Sequence, residues 1–117
     1  MPSYDLTPAA EADLREIARY TLRQWGARQQ ERYARQLEAC FRRIAEGRAP
    51  SREFSERYPQ VRVARCQHHY AFYIHPEGQK PLILAVLHEQ MDLLVRLGER
   101  LSRSALSVPE PPRNLDR

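Results

Sequence analysis

A chain of 117 residues has room for one domain built on one core, and no second domain is expected. It is 42% hydrophobic and 29% charged, as ordinary soluble domains are, and no apolar run approaches the roughly 18 residues of a membrane span. The net charge of +4 comes from arginine, since Lys80 is the only lysine. The planar guanidinium fork suits an acidic partner or a nucleic acid, although a GC-rich coding sequence also enriches arginine.

The N-terminus, Met1 to Leu6, has neither the basic nor the apolar region of a signal peptide, so retention in the cytoplasm and no membrane association are expected. Ser3 to Leu6 reads as a short strand. Thr7-Pro8 opens a helix, because Thr7 can accept from the first free N–H groups and Pro8 suits the first helical position. Ala10, Leu14, Ile17, Thr21 and Trp25 follow at spacings of three and four and form one apolar stripe. Tyr20 lies off that stripe as an exposed aromatic that could anchor a partner.

Gly26 ends this helix, and a second runs from about Ala27 to Glu46, stopped by Gly47 and Pro50. Its stripe is Tyr33, Leu37, Cys40, Phe41 and Ile44, within an arc of roughly 100°. Arg28, Arg32, Arg35, Arg42 and Arg43 fall opposite, interrupted by Glu31, Glu38 and Glu46. So short a connection makes the two helices antiparallel neighbours.

Arg48 to Pro59 shows no periodicity and is expected to be a loop. Val61 to Cys66, His69 to His75 and Leu82 to His88 are rich in Val, Ile, Tyr and Phe and read as strands. Met91 to about Arg100 reads as a short helix. The domain is therefore set at residues 1–101, with 102–117, which hold three of the nine prolines, as a disordered tail. The fold class is α+β: a short N-terminal strand, an antiparallel helical hairpin packed on an antiparallel sheet, and a short C-terminal helix. Cys40 and Cys66 lie far apart without metal-type pairing and read as reduced thiols.

Symmetric closure of the strand hairpins sets Cys66 against His69, His69 against His88, and His75 against Leu82. One face then carries Val61, Val63, Tyr70, Phe72, Ile74, Ile83, Ala85 and Leu87, and should pack on the helices. The other carries Arg62, Ala64, Cys66, His69, Ala71, Tyr73, Leu82, Leu84, Val86 and His88. Two helices cover one face, so this second face should await the C-terminal helix, a partner, or both.

Three stretches together resemble the ParE branch of the RelE/ParE toxin superfamily. The first runs from Tyr4-Asp5-Leu6-Thr7-Pro8 through Asp13-Leu14, Ile17 and Tyr20 to Trp25-Gly26. The second is Arg62 with Tyr70-Ala71-Phe72-Tyr73, and the third is Val86-Leu87-His88 with Met91-Asp92. The resemblance covers about residues 4 to 100. It implies a toxin of a type II toxin–antitoxin pair, neutralised by a ParD-like antitoxin whose C-terminal segment wraps it in a hetero-oligomer. It also implies inhibition of DNA gyrase by binding rather than by catalysis. The residues expected to meet antitoxin or target are Arg62, His69, Tyr73, Leu84, Val86, His88 and Met91.

Two rival readings remain open. RNA-cleaving RelE relatives need a general base, a general acid and cations at the scissile phosphate, and Arg62, His69, Tyr73 and His88 are the nearest set. The basic sheet residues that branch relies on are mostly missing, so no catalytic residue is assigned. The arginines of the second helix could instead bind DNA phosphates. Cys66, His69 and His88 match no standard zinc spacing, so neither metal nor cofactor is expected.

Overall fold

The computed structural model describes residues 3–103, in the order β1 (Asp5–Leu6), α1 (Pro8–Trp25), α2 (Ala27–Ala45), β2 (Arg52–Ser55), β3 (Tyr58–Cys66), β4 (His69–Ile74), β5 (Leu82–His88) and α3 (Leu93–Arg103). The five strands make one sheet in the order β1-β5-β4-β3-β2. Every neighbouring pair is antiparallel except β1 with β5. The α+β class and the helical hairpin stand. The expected tail splits: Ser102 and Arg103 are helical, and 104–117 lie outside the described residues.

Thr7 caps α1 as the sequence implied, and it also joins the helix to the sheet. Its hydroxyl accepts from the Ala10 N–H at 3.0 Å and donates to the Leu84 carbonyl at 3.3 Å. Its own N–H donates to the Ile83 carbonyl at 3.1 Å. Gly26 serves both helices with φ +91°, a conformation that side-chain-bearing residues rarely adopt.

Two core clusters sandwich the sheet, and their assignment reverses the expected one. The hairpin, through Ala10, Leu37, Cys40, Phe41 and Ile44, packs on Ala64, Cys66, Ala71, Tyr73, Ile83 and Val86. Leu97 of α3 packs on Val61, Val63, Phe72, Leu84, Ala85 and Leu87, flanked by Leu93 and Leu101. The reason is volume. Phe41, Leu37 and Ile44 are bulky, and two α-helices can settle against the sheet only where Ala64 and Ala71 leave room.

A register shift compounds the reversal. Phe72 pairs with Ala85 and Tyr73 with Ile83, so Leu84 is an extra, bulged residue, and Ile74 rather than His75 meets Leu82. The bulge turns Ile83 towards the hairpin and both Leu84 and Ala85 towards α3. Simple alternation cannot anticipate that.

Two further expectations are corrected. The stretch read as a loop contains β2, and β3 begins at Tyr58 rather than Val61. Only Phe54 among the four β2 residues is apolar, and its ring meets Phe72 edge-on at 5.1 Å, so pairing rather than pattern makes the strand. Cys40 and Cys66 are not free thiols but a disulfide with Cα atoms 5.8 Å apart. Spacing along the chain said nothing about α2 setting its inner face against the end of β3. The turn at Gln67-His68 has the expected register, Cys66 against His69, with Gln67 at φ 61°.

Candidate functional site

The seven expected contact residues do not form one surface. Tyr73 and Val86 are buried beneath the hairpin, and Leu84 is buried beneath α3. The free face that motivated them is thus covered. Arg62 is half-buried at the middle of β3, donating from Nη2 to Ser51 Oγ at 3.1 Å. Met91 is exposed in the link between β5 and α3, where its N–H donates to the His88 carbonyl at 3.0 Å.

The structure does bring His69 and His88 together. They face each other across β4 and β5, with ring centroids 5.1 Å apart and planes nearly perpendicular. His69 is only 9% exposed, and its Nδ1 lies 2.7 Å from the Tyr33 hydroxyl of α2. That hydroxyl also accepts from the His68 N–H at 3.1 Å, so it ties α2 to both the β3–β4 turn and the His69 ring. Burial first, then the neighbouring His88 and His68, push the His69 pKa down to about 4. The ring is therefore neutral near pH 7 and not poised to exchange a proton there. Burial likewise raises the Tyr33 hydroxyl above its ordinary value.

Outside this pair lies an ionic corner. Glu89 takes Arg65 Nη2 on one oxygen and faces His68 Nδ1 at 3.1 Å with the other. The His68 hydrogen bond first, then the Arg65 charge, hold this carboxyl below its usual range. Arg65 also donates from Nε to the Gln67 carbonyl at 3.0 Å and stands 5.7 Å over the Tyr70 ring. A cation so engaged is poorly placed to receive a phosphate. Cys66 lies in the disulfide and cannot join His69 and His88 as a ligand, and no cluster of three metal-type ligands occurs among the described residues.

Sequence reasoning missed the clasp that fixes α3. Arg100 Nη2 donates to Asp13 Oδ1 at 2.9 Å, and its Nη1 donates to Oδ2 at 3.1 Å and to the Leu84 carbonyl at 3.0 Å. Asp13 Oδ2 also accepts from the Val86 N–H at 2.9 Å. One carboxylate thus satisfies the edge of β5 beside the bulge and anchors α3 to α1. The available signal was an acid beside Leu14 on the inward stripe and a basic residue between Leu97 and Leu101 on α3. The outer side of α3 leaves Leu94 and Val95 exposed near Met91. A cavity of about 200 Å³ lies between α1 and α2, lined by Leu14, Ile17, Tyr33 and Leu37 among others.

A fold of this order, with a capped hairpin on a five-stranded sheet, accords with the resemblance read from the sequence. Residues 4–93 match the family model described as the ParE toxin of the type II toxin–antitoxin system parDE. The chain belongs to the ParE toxin family. It is 50% identical over 101 residues to Toxin ParE of Escherichia coli, covering 86% of this chain and 98% of that protein. Toxin ParE1 of Caulobacter vibrioides is 33% identical, covering 84% of this chain and 100% of the relative. Among solved structures, a chain of the chromosomal ParDE toxin–antitoxin system from P. aeruginosa superposes with a TM-score of 0.60. That alignment covers 75% of this toxin and 98% of that chain, and at 19% identity it speaks for the fold.

Proposed function

We propose that this ParE toxin is a non-enzymatic inhibitor that poisons DNA gyrase in the cytoplasm and is silenced by a ParD-like antitoxin. The observation that carries the reading is the family match across residues 4–93, together with half-identity to a ParE toxin over nearly that protein's whole length. The chemistry of the histidine corner supports it. His69 is buried and neutral and Tyr73 is buried beneath the hairpin, so two of the four groups nearest to an RNA-cleaving set are committed to the fold. No helix of the described residues is long and apolar enough to cross a membrane.

A protein acting only by binding can still arrest gyrase. If it binds the cleaved-DNA complex more tightly than the resealed one, it shifts that equilibrium towards breaks. The outer side of α3, with Met91, Leu94 and Val95, and the surface beside Arg62 are the contacts assigned to partners. The antitoxin lays its C-terminal half on the toxin as a helix and an extended segment, its acidic residues meeting arginines. Purified toxin mixed with gyrase and supercoiled plasmid should yield linear DNA after denaturation, and the antitoxin should prevent it. Unchanged cleavage at toxin excess, with translation arrested and mRNA cut, would transfer the protein to the nuclease reading. An antitoxin lacking its C-terminal half should no longer bind.

A further inference from the structure

The large exposed apolar side chains fall into two groups: Met91, Leu94 and Val95 at α3, and Tyr20, Leu22 and Trp25 near the hairpin tip. Among the described residues, none of the second group belongs to either core cluster. No residue from 22 to 32 belongs to either core cluster, so the last turn of α1 and the first of α2 extend beyond the supported part of the hairpin. Trp25, the only tryptophan of the chain, continues the inward stripe of α1 but is 70% exposed and joins neither core cluster. Leu22, 50% exposed, is three residues away and shares its side of the helix. Around them stand Arg23, Arg28 and Arg32, all exposed, against one carboxylate in the segment, Glu31.

We infer that this tip is a target-docking element, inserting Trp25 and Leu22 into an apolar recess on an acidic protein surface. Tryptophan flanked by arginine is the composition of interface hot spots, and an exposed leucine beside it adds apolar area that water does not reward. The positive charge selects an acidic wall. The shape selects the occupant: a convex tip fits a recess on a large globular protein, whereas an antitoxin segment wraps flatter surfaces. Nucleic acid fits less well. Stacked bases want ring faces side by side, but Tyr20 and Trp25 are five residues apart, about 140° around α1, and Leu22 has no ring to offer. The inference rests on the binding-only reading above, with gyrase as the target.

Trp25→Ala and Arg23→Glu/Arg28→Glu test it. Both should melt like the wild type and keep antitoxin affinity, yet need at least about 10-fold more toxin to produce gyrase cleavage. Trp25→Phe should retain most activity. In the wild type, a 5-fluorotryptophan label should lose its solvent isotope shift when gyrase and plasmid are added. That reading decides the matter if a variant fails to fold. Wild-type potency in both variants, or a label that stays solvated, overturns the inference. Loss of antitoxin binding with cleavage intact assigns the tip to the antitoxin and also overturns it, as does Trp25-dependent binding of plasmid alone. If wild-type toxin does not poison gyrase, the gyrase assignment falls separately. Growth arrest then judges the tip: folded, antitoxin-binding variants that lose toxicity uphold it, and variants that stay toxic reject it.

Discussion

The two faces of the sheet are covered by elements fastened in different ways. On one face the hairpin is tied by the Cys40–Cys66 disulfide, by Thr7 bonding to β5, and by Tyr33 meeting His69. On the other, α3 is a single helix seated by Leu93, Leu97 and Leu101, with the Asp13–Arg100 clasp as its polar anchor. Covalent and cooperative ties make the hairpin part of the global fold. A helix held by one stripe and one ion pair opens at lower cost. The cover that carries Met91, Leu94 and Val95 is therefore the one a partner can rearrange.

Breaking the covalent tie should have the largest effect. Cys40→Ser with Cys66→Ser removes a cross-link spanning 26 residues, worth about 3.5 kcal/mol by loop closure. Thermal melts should show the drop, and reductant should reproduce it in the wild type. An unchanged melt in both would remove the covalent half of the contrast.

Arg100→Ala should cost about 3 kcal/mol, because it strands the half-buried Asp13 carboxylate without its counter-charge. The contrast predicts where the damage falls. Hydrogen exchange should quicken across Leu93–Arg103 while α1 and α2 stay protected. Uniform loss of protection would mean that α3 is as integral as the hairpin.

Acid should loosen the hairpin side through His69. Its folded pKa of about 4 lies below the unfolded value of about 6.5, so the unfolded chain takes up the proton first. Stability is complete above pH 6.5, falls as pH drops, and levels off near pH 4. By pH 5 the loss is about 2 kcal/mol. The depressed Glu89 carboxyl acts in the same direction at lower pH. His69→Gln should flatten the upper part of this profile; an unaltered profile would show that the ring is not the titrating group.

The smallest effect concerns the β3–β4 turn. Gln67→Gly should stabilise by about 1 kcal/mol, since Gln67 holds φ 61° and glycine meets no steric penalty there. Urea unfolding would register it as a higher midpoint at constant slope.

The residues by themselves determined whatever depends on near neighbours in the chain. Thr7-Pro8 started α1, Gly26 broke the hairpin, and the Tyr33-to-Ile44 stripe named the inner side of α2, because capping and helical periodicity act within a few residues. Cys66 opposite His69 also followed, from the two-residue turn at Gln67-His68, and His69 opposite His88 from closure of the β4–β5 hairpin. Tertiary structure decided the rest. Which sheet face met the hairpin depended on the small volumes of Ala64 and Ala71 against Phe41 and Ile44, a comparison between elements far apart in sequence. The bulge at Leu84 altered the alternation that the face assignment assumed. Docking of α2 on β3 joined Cys40 to Cys66, and docking of α3 joined Asp13 to Arg100 across 87 positions. Trp25 completed a flawless inward stripe and still emerged exposed, because periodicity states which way a side chain faces but not whether anything is there to receive it.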